Sequence, residues 1–96
     1  MSDDQLPGDA ALTLEELCAV AALERQWLVA RIEEGLIPAA GTASEWRFTS
    51  AHLARARRMR DIERTYDAVP ELSALVADLL EEMDALRARL RRAGLG

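Results

Sequence analysis

Strand-forming residues are scarce in this 96-residue chain: four Val, three Ile, one Tyr and one Phe. That leaves room for one short hairpin and excludes a β-sheet protein. Lysine is absent, so all twelve basic residues are arginine. Cys18 is the only cysteine. It excludes a disulfide within the chain and points to a reducing compartment. No apolar run approaches the ~20 residues of a membrane helix. The N-terminus is acidic rather than basic, unlike a secretory signal, so a cytoplasmic protein without membrane contact is expected. One His, one Cys, no Gly-rich phosphate loop and no metal-spaced ligands leave no catalytic constellation. The expected protein is not an enzyme and needs no cofactor or metal.

Ala, Leu, Arg and Glu dominate instead, and all favour helix. Half of the chain is apolar, but 18 of those residues are Ala, which bring little area to a core. A thin core in a single small domain is often completed by a partner subunit. The fold class expected is all-α with one small β-hairpin.

Residues 1–12 have no period and are expected to form a flexible tail. Thr13-Leu14-Glu15-Glu16 reads as a capping box opening a short helix, with Leu14, Leu17, Cys18 and Ala21 at helical spacing. A break centred on Ala22 leads to a second helix, about Glu24 to Glu34, with Leu23, Trp27, Leu28 and Ile32 on its apolar face. Gly35 sits where a glycine would end that helix, followed by Leu36 for the usual hydrophobic contact. Leu36–Pro38 and Glu45–Phe48 are expected to pair as the hairpin, the second segment alternating in character as a strand does. Thr49 would cap a third helix with Leu53, Ala56, Met59, Ile62 and Tyr66 along one face and five arginines around the rest. Trp27 and Trp46 are expected in the core, Cys18 as a small buried hydrophobe, and His52 as a solvated surface residue.

Pro70 suits the first turn of a fourth helix running to Arg92. Leu72, Val76, Leu79, Met83, Leu86 and Leu90 alternate in steps of four and three, the seam of a helix pair. Leu75 and Leu80 widen the early part of the stripe. Leu72 to Leu80 is expected to close the core, leaving Met83, Leu86 and Leu90 as a homodimer interface. The division expected is residues 13–66 as one domain and 67–96 as a C-terminal helix for core closure and dimerisation.

Helix, turn, helix, hairpin, helix and long amphipathic helix is the order of a MerR-like winged helix-turn-helix. Thr13-Leu14-Glu15-Glu16-Leu17-Cys18, Glu33-Glu34-Gly35-Leu36-Ile37, Glu45-Trp46-Arg47-Phe48-Thr49 and the stretch Asp78 to Leu90 resemble the chaperone-modulator family CbpM. The resemblance spans about residues 12–92. It departs at Ala22, where the family turn has Gly, at Glu24, where Ser or Asp is usual, and in the Tyr66–Pro70 loop. The resemblance implies a protein that binds the J-domain of a CbpA-type co-chaperone and limits its stimulation of the Hsp70 DnaK. By analogy to MerR relatives, it also implies an antiparallel pairing of the long helices.

Charge bears on the choice between protein and DNA as partner. Residues 1–36 hold eight acids against two arginines, while 47–64 hold six arginines against two acids. An acidic recognition helix is repelled by phosphate. Glu15, Glu16, Glu33 and Glu34 could instead cover the basic second helix that J-domains carry, although any one of them taken alone is more readily an ordinary solvated charge. Arg47 and the arginines of the third helix keep the alternative, a MerR-like DNA-binding transcriptional regulator, open. More often such a run of five arginines is a solvated face, here paired with Asp61 and Glu63.

Overall fold

The computed structural model describes residues 11–94, and the rest of the expected tail lies outside them. Four helices follow in order: α1 (Leu14–Ala21), α2 (Arg25–Glu33), α3 (Ser50–Tyr66) and α4 (Pro70–Arg92). Local chemistry sets most of their ends. Thr13 Oγ1 accepts from the Glu16 N–H at 3.2 Å, and Glu16 Oε1 accepts from the Thr13 N–H at 2.8 Å. This closes the capping box and satisfies two orphan donors. At the end of α2 the Gly35 N–H donates to Ile32 and the Leu36 N–H to Arg31, both at 2.9 Å. Gly35 has φ +78°, the left-handed value that a Schellman cap requires. Pro70 opens α4, where its missing N–H costs nothing.

The α1–α2 turn is reached with strain. Ala22 adopts φ 56°, ψ 48° so that its N–H and that of Leu23 both close on the Cys18 carbonyl. A left-handed Ala costs roughly 1–2 kcal/mol relative to the right-handed form.

The expected hairpin does not form. Leu36 and Ile37 both donate to the Arg31 carbonyl, and Arg55 Nε donates to the Leu36 carbonyl at 2.8 Å. Pro38 has no N–H to offer. The N–H groups of the first strand and its Leu36 carbonyl are therefore already committed. On the other side, Ala43–Glu45 is a 3₁₀ turn, and the Trp46 N–H donates to Ala43. Phe48 pairs instead with Leu12, each N–H donating to the other's carbonyl at 2.8 and 2.9 Å. Leu12 is thus fixed to the body rather than part of a tail.

The core lies among α1, α2, α3 and the loop leading into α3. Leu17, Leu28, Ile37, Phe48, Leu53, Ala56 and Met59 are essentially inaccessible. Trp46 is buried, as its sequence context led us to expect, and its Nε1–H donates to Gly41. His52 is half-buried rather than solvated: its Nδ1 accepts from the Thr49 N–H at 2.9 Å and its ring meets Phe48 edge-on. α4 closes the core with Ser73, Ala74 and Ala77, not with leucine. Small side chains let two helices approach closely, so of the Leu72 to Leu80 stripe expected in the core, Leu72, Leu75 and Leu79 face outward and Val76 and Leu80 are half-buried.

Candidate partner-binding surfaces

The four candidate acids fall into two groups. Glu15 lies 3.7 Å from Arg25 at the start of α2, and Glu16 is held in its capping box. Glu33 and Glu34 end α2, nine residues further on, or roughly 13 Å at 1.5 Å per residue. Glu34 pairs with Arg31 at 2.9 Å, leaving Glu33 exposed without an ion pair among the described residues. The hydrogen bonds from Thr13 hold the Glu16 carboxyl below the usual carboxylate range. Cys18 is half-buried, and burial, with Glu15 nearby, pushes its thiol up, away from reactivity.

α3 carries the arginines that could have met phosphate, and most are spent within the chain. Arg55 reaches Asp78 at 2.8 Å and Glu81 at 3.0 Å, and Arg58 reaches Asp84 at 2.6 Å. Arg60 and Arg64 both close on Glu24, at 3.3 and 3.1 Å, and hold its carboxyl below the usual range, the Arg60 bond contributing most. Arg57 donates to the Val20 carbonyl. The expected partner Asp61 takes none of these bonds, because the acids that answer α3 stand on α4 and at the start of α2.

One junction was invisible in the sequence. Glu63 is 8% exposed and accepts from Trp27 Nε1 at 2.8 Å, Arg31 Nε at 3.1 Å and Ser73 Oγ at 2.9 Å. Three helices thereby meet on one carboxylate. Burial pushes the Glu63 pKa up, but the bonds from Arg31, Trp27 and Ser73 outweigh it and hold the group below the usual carboxylate range. Trp27 is consequently half-buried rather than in the core, with the guanidinium groups of Arg31 and Arg60 at 5.3 and 5.8 Å from its ring centre. The only signal that could have found this site is Trp and Arg at i, i+4 on α2, which also fits an ordinary helix face.

α4 is 23 residues long, roughly 34 Å. Along its outward side run Leu72, Leu75, Leu79, Met83, Leu86 and Leu90, each 40–54% exposed. Leu75, not Val76, belongs to this exposed row. The triplet 72, 75, 79 therefore recurs eleven residues later as 83, 86, 90, a period closer to a straight helix than the expected 3.5. Met83, Leu86 and Leu90 do project into solvent, but so does the proximal half. Covering these side chains would gain on the order of 1 kcal/mol each.

Residues 12–93 match the family described as MerR HTH family regulatory protein. The chain belongs to the MerR HTH family. No curated protein and no solved structure matches it. The matched span holds all four helices, and within it α1, the Ala22 turn and α2 form a helix, turn and helix. Among the described residues no group of His, Cys, Asp and Glu could hold a metal ion. None of the helices described is long and apolar enough to cross a membrane.

Proposed function

We propose that this MerR-family chain is a protein-binding modulator in the cytosol. On this reading it is a CbpM-like homodimer that binds the J-domain of a CbpA-type co-chaperone and limits its stimulation of DnaK. The observation that carries the reading is the commitment of basic side chains around the helix-turn-helix. Arg31 is tied to Glu63 and Glu34, and Arg55, Arg58, Arg60 and Arg64 to acids of the same chain. A duplex-reading helix needs such groups free for phosphate. The exposed positions of α2 are Arg25, Gln26 and Glu33, with Glu24 just before it and Glu34 just after, so three acids stand against one arginine. That surface suits a basic protein better than a polyanion. The homodimer would pair α4 with α4 in antiparallel fashion and bury Met83, Leu86 and Leu90.

A second reading compatible with the family match is a DNA-binding regulator, because the helix-turn-helix is a major-groove reader in many proteins. Arg47 remains exposed for such a role, although its guanidinium donates to the Ser44 and Trp46 carbonyls. Calorimetric titration with a J-domain at two ionic strengths, beside a duplex gel shift at low salt, separates the two. J-domain binding that weakens with salt, and weakens further in Glu33→Arg, is the expected result. Nanomolar sequence-selective duplex binding with no heat from the J-domain would reverse the order.

A further inference from the structure

The two ends of α4 are left unsatisfied in complementary ways. At its C-terminal end Arg87, Arg89, Arg91 and Arg92 are exposed and make no ion pair among the described residues. At its N-terminal end the corner with α3 exposes Tyr66 at 75% and Val69 at 61%, beside the exposed acids Asp67 and Glu71. Among the described residues nothing covers either end. We propose that the arginine-rich end of α4 docks on the α3–α4 corner of a second copy of this chain. The proposal rests on the reading that α4 pairs with a second copy, and adds the register and a cross-chain contact surface.

The spacing of the apolar stripe selects the register. When two antiparallel copies are aligned so that Leu72 is level with Leu90, Leu79 falls level with Met83, and Leu75 lies within one residue of the level of Leu86. The whole exposed row is then matched, not only its distal half. Arg91 comes level with Glu71 and Arg92 with Pro70, which brings the cationic end of one copy to the Tyr66–Glu71 corner of the other. Glu71 and Arg89 are eighteen residues apart, about five turns, so they lie on the same flank of the stripe. The two-fold axis relating antiparallel helices keeps each flank on its own side, so Glu71 of one copy faces Arg89 of its partner. Their levels differ by two residues, about 3 Å. In a parallel pair the four arginines would lie level with four arginines instead, and Glu71 level with Glu71, gathering like charges at each end. An aromatic ring beside guanidinium groups adds a favourable contact for the antiparallel arrangement.

Light scattering and sedimentation of the full chain read the dimer, and a crosslink reads the register. Glu71→Arg and Arg89→Glu should each raise the dimer dissociation constant roughly ten-fold, the symmetry repeating each pair. The double reversal should recover most of that loss. With Cys18→Ala as background, a chain bearing Glu71→Cys should couple through a short thiol crosslinker to one bearing Arg89→Cys, and neither should couple to itself. Tyr66→Ser should loosen the dimer without loss of helix content. A dimer that crosslinks residue 71 to residue 71, or that the double reversal fails to recover, overturns the proposed docking alone. A mass of one chain at micromolar concentration overturns both this docking and the pairing of α4 on which it rests.

Discussion

α3 and the distal half of α4 are both arginine-rich amphipathic helices, yet their charges have opposite fates. In α3, Arg55, Arg58, Arg60 and Arg64 each find carboxylates from α4 or from Glu24. In α4, the four arginines from Arg87 onward find none among the described residues. The difference lies in what stands opposite. Asp78, Glu81 and Asp84 occupy the side of α4 that faces α3, while the distal turns run beyond the body. A run of arginine in sequence therefore fixes neither a phosphate site nor a solvated face, since the charges across from it decide.

The sharpest way to break the comparison is to remove the apolar row beside the free arginines. Leu86→Glu with Leu90→Glu should reduce the mass in light scattering to the 10.6 kDa of one chain, while circular dichroism retains most of the helix. A dimer surviving both changes would mean that distal α4 is not an interface. The next largest effect falls on the paired side. Glu63→Ala strands the Trp27 N–H and part of the Arg31 charge, while the Ser73 hydroxyl keeps the Pro70 carbonyl, and should cost about 2–4 kcal/mol in urea unfolding.

Glu63 also gives that comparison a pH axis. Its folded pKa lies below the ordinary 4.5. The unfolded chain therefore binds the proton first, and the stabilisation, complete above about 4.5, is lost as pH falls through the folded value. Glu63→Gln should flatten that acid limb, measured as unfolding midpoints from pH 6 down to 3. An unchanged limb would assign the acid sensitivity to other carboxylates.

Arginine truncation tests the two helices directly in the monomeric Leu86→Glu, Leu90→Glu background. Arg55→Ala removes bonds to Asp78, Glu81 and the Leu36 carbonyl and should cost about 1–2 kcal/mol. Arg89→Ala should change stability by less than about 0.5 kcal/mol. Equal costs would erase the distinction drawn between the two regions. Away from both, Ala22→Gly relieves the left-handed turn and should stabilise the chain by about 0.5–1 kcal/mol, less than the full strain because glycine also loosens the unfolded state. The smallest effect sits near the proposed two-fold axis. Glu82, level with Leu80, would lie near its own copy, so Glu82→Gln should tighten the dimer by a few tenths of a kcal/mol.

The elements legible in the sequence are those whose bonds close within a few residues. The Thr13 to Glu16 capping box, the Gly35 cap, Pro70 at the start of α4 and the outward projection of Met83, Leu86 and Leu90 all belong to this group. The hairpin failed because its donors and acceptors were claimed from elsewhere: Leu36 and Ile37 by Arg31, the Leu36 carbonyl by Arg55, and Phe48 by Leu12. The Glu63 junction was illegible for the same reason in reverse. Its partners stand 36, 32 and 10 residues away on other helices, so no periodicity within one element links them. Composition and local spacing determined a four-helix chain with these caps and an amphipathic last helix, because backbone hydrogen bonds and periodic apolar faces are properties of neighbouring residues. Only the tertiary structure decided that alanines rather than leucines close the core, that α3 spends its arginines internally, and that α4 keeps an unmatched apolar row. Those outcomes depend on which surfaces lie within a few ångströms of each other, and distance in the chain does not report that.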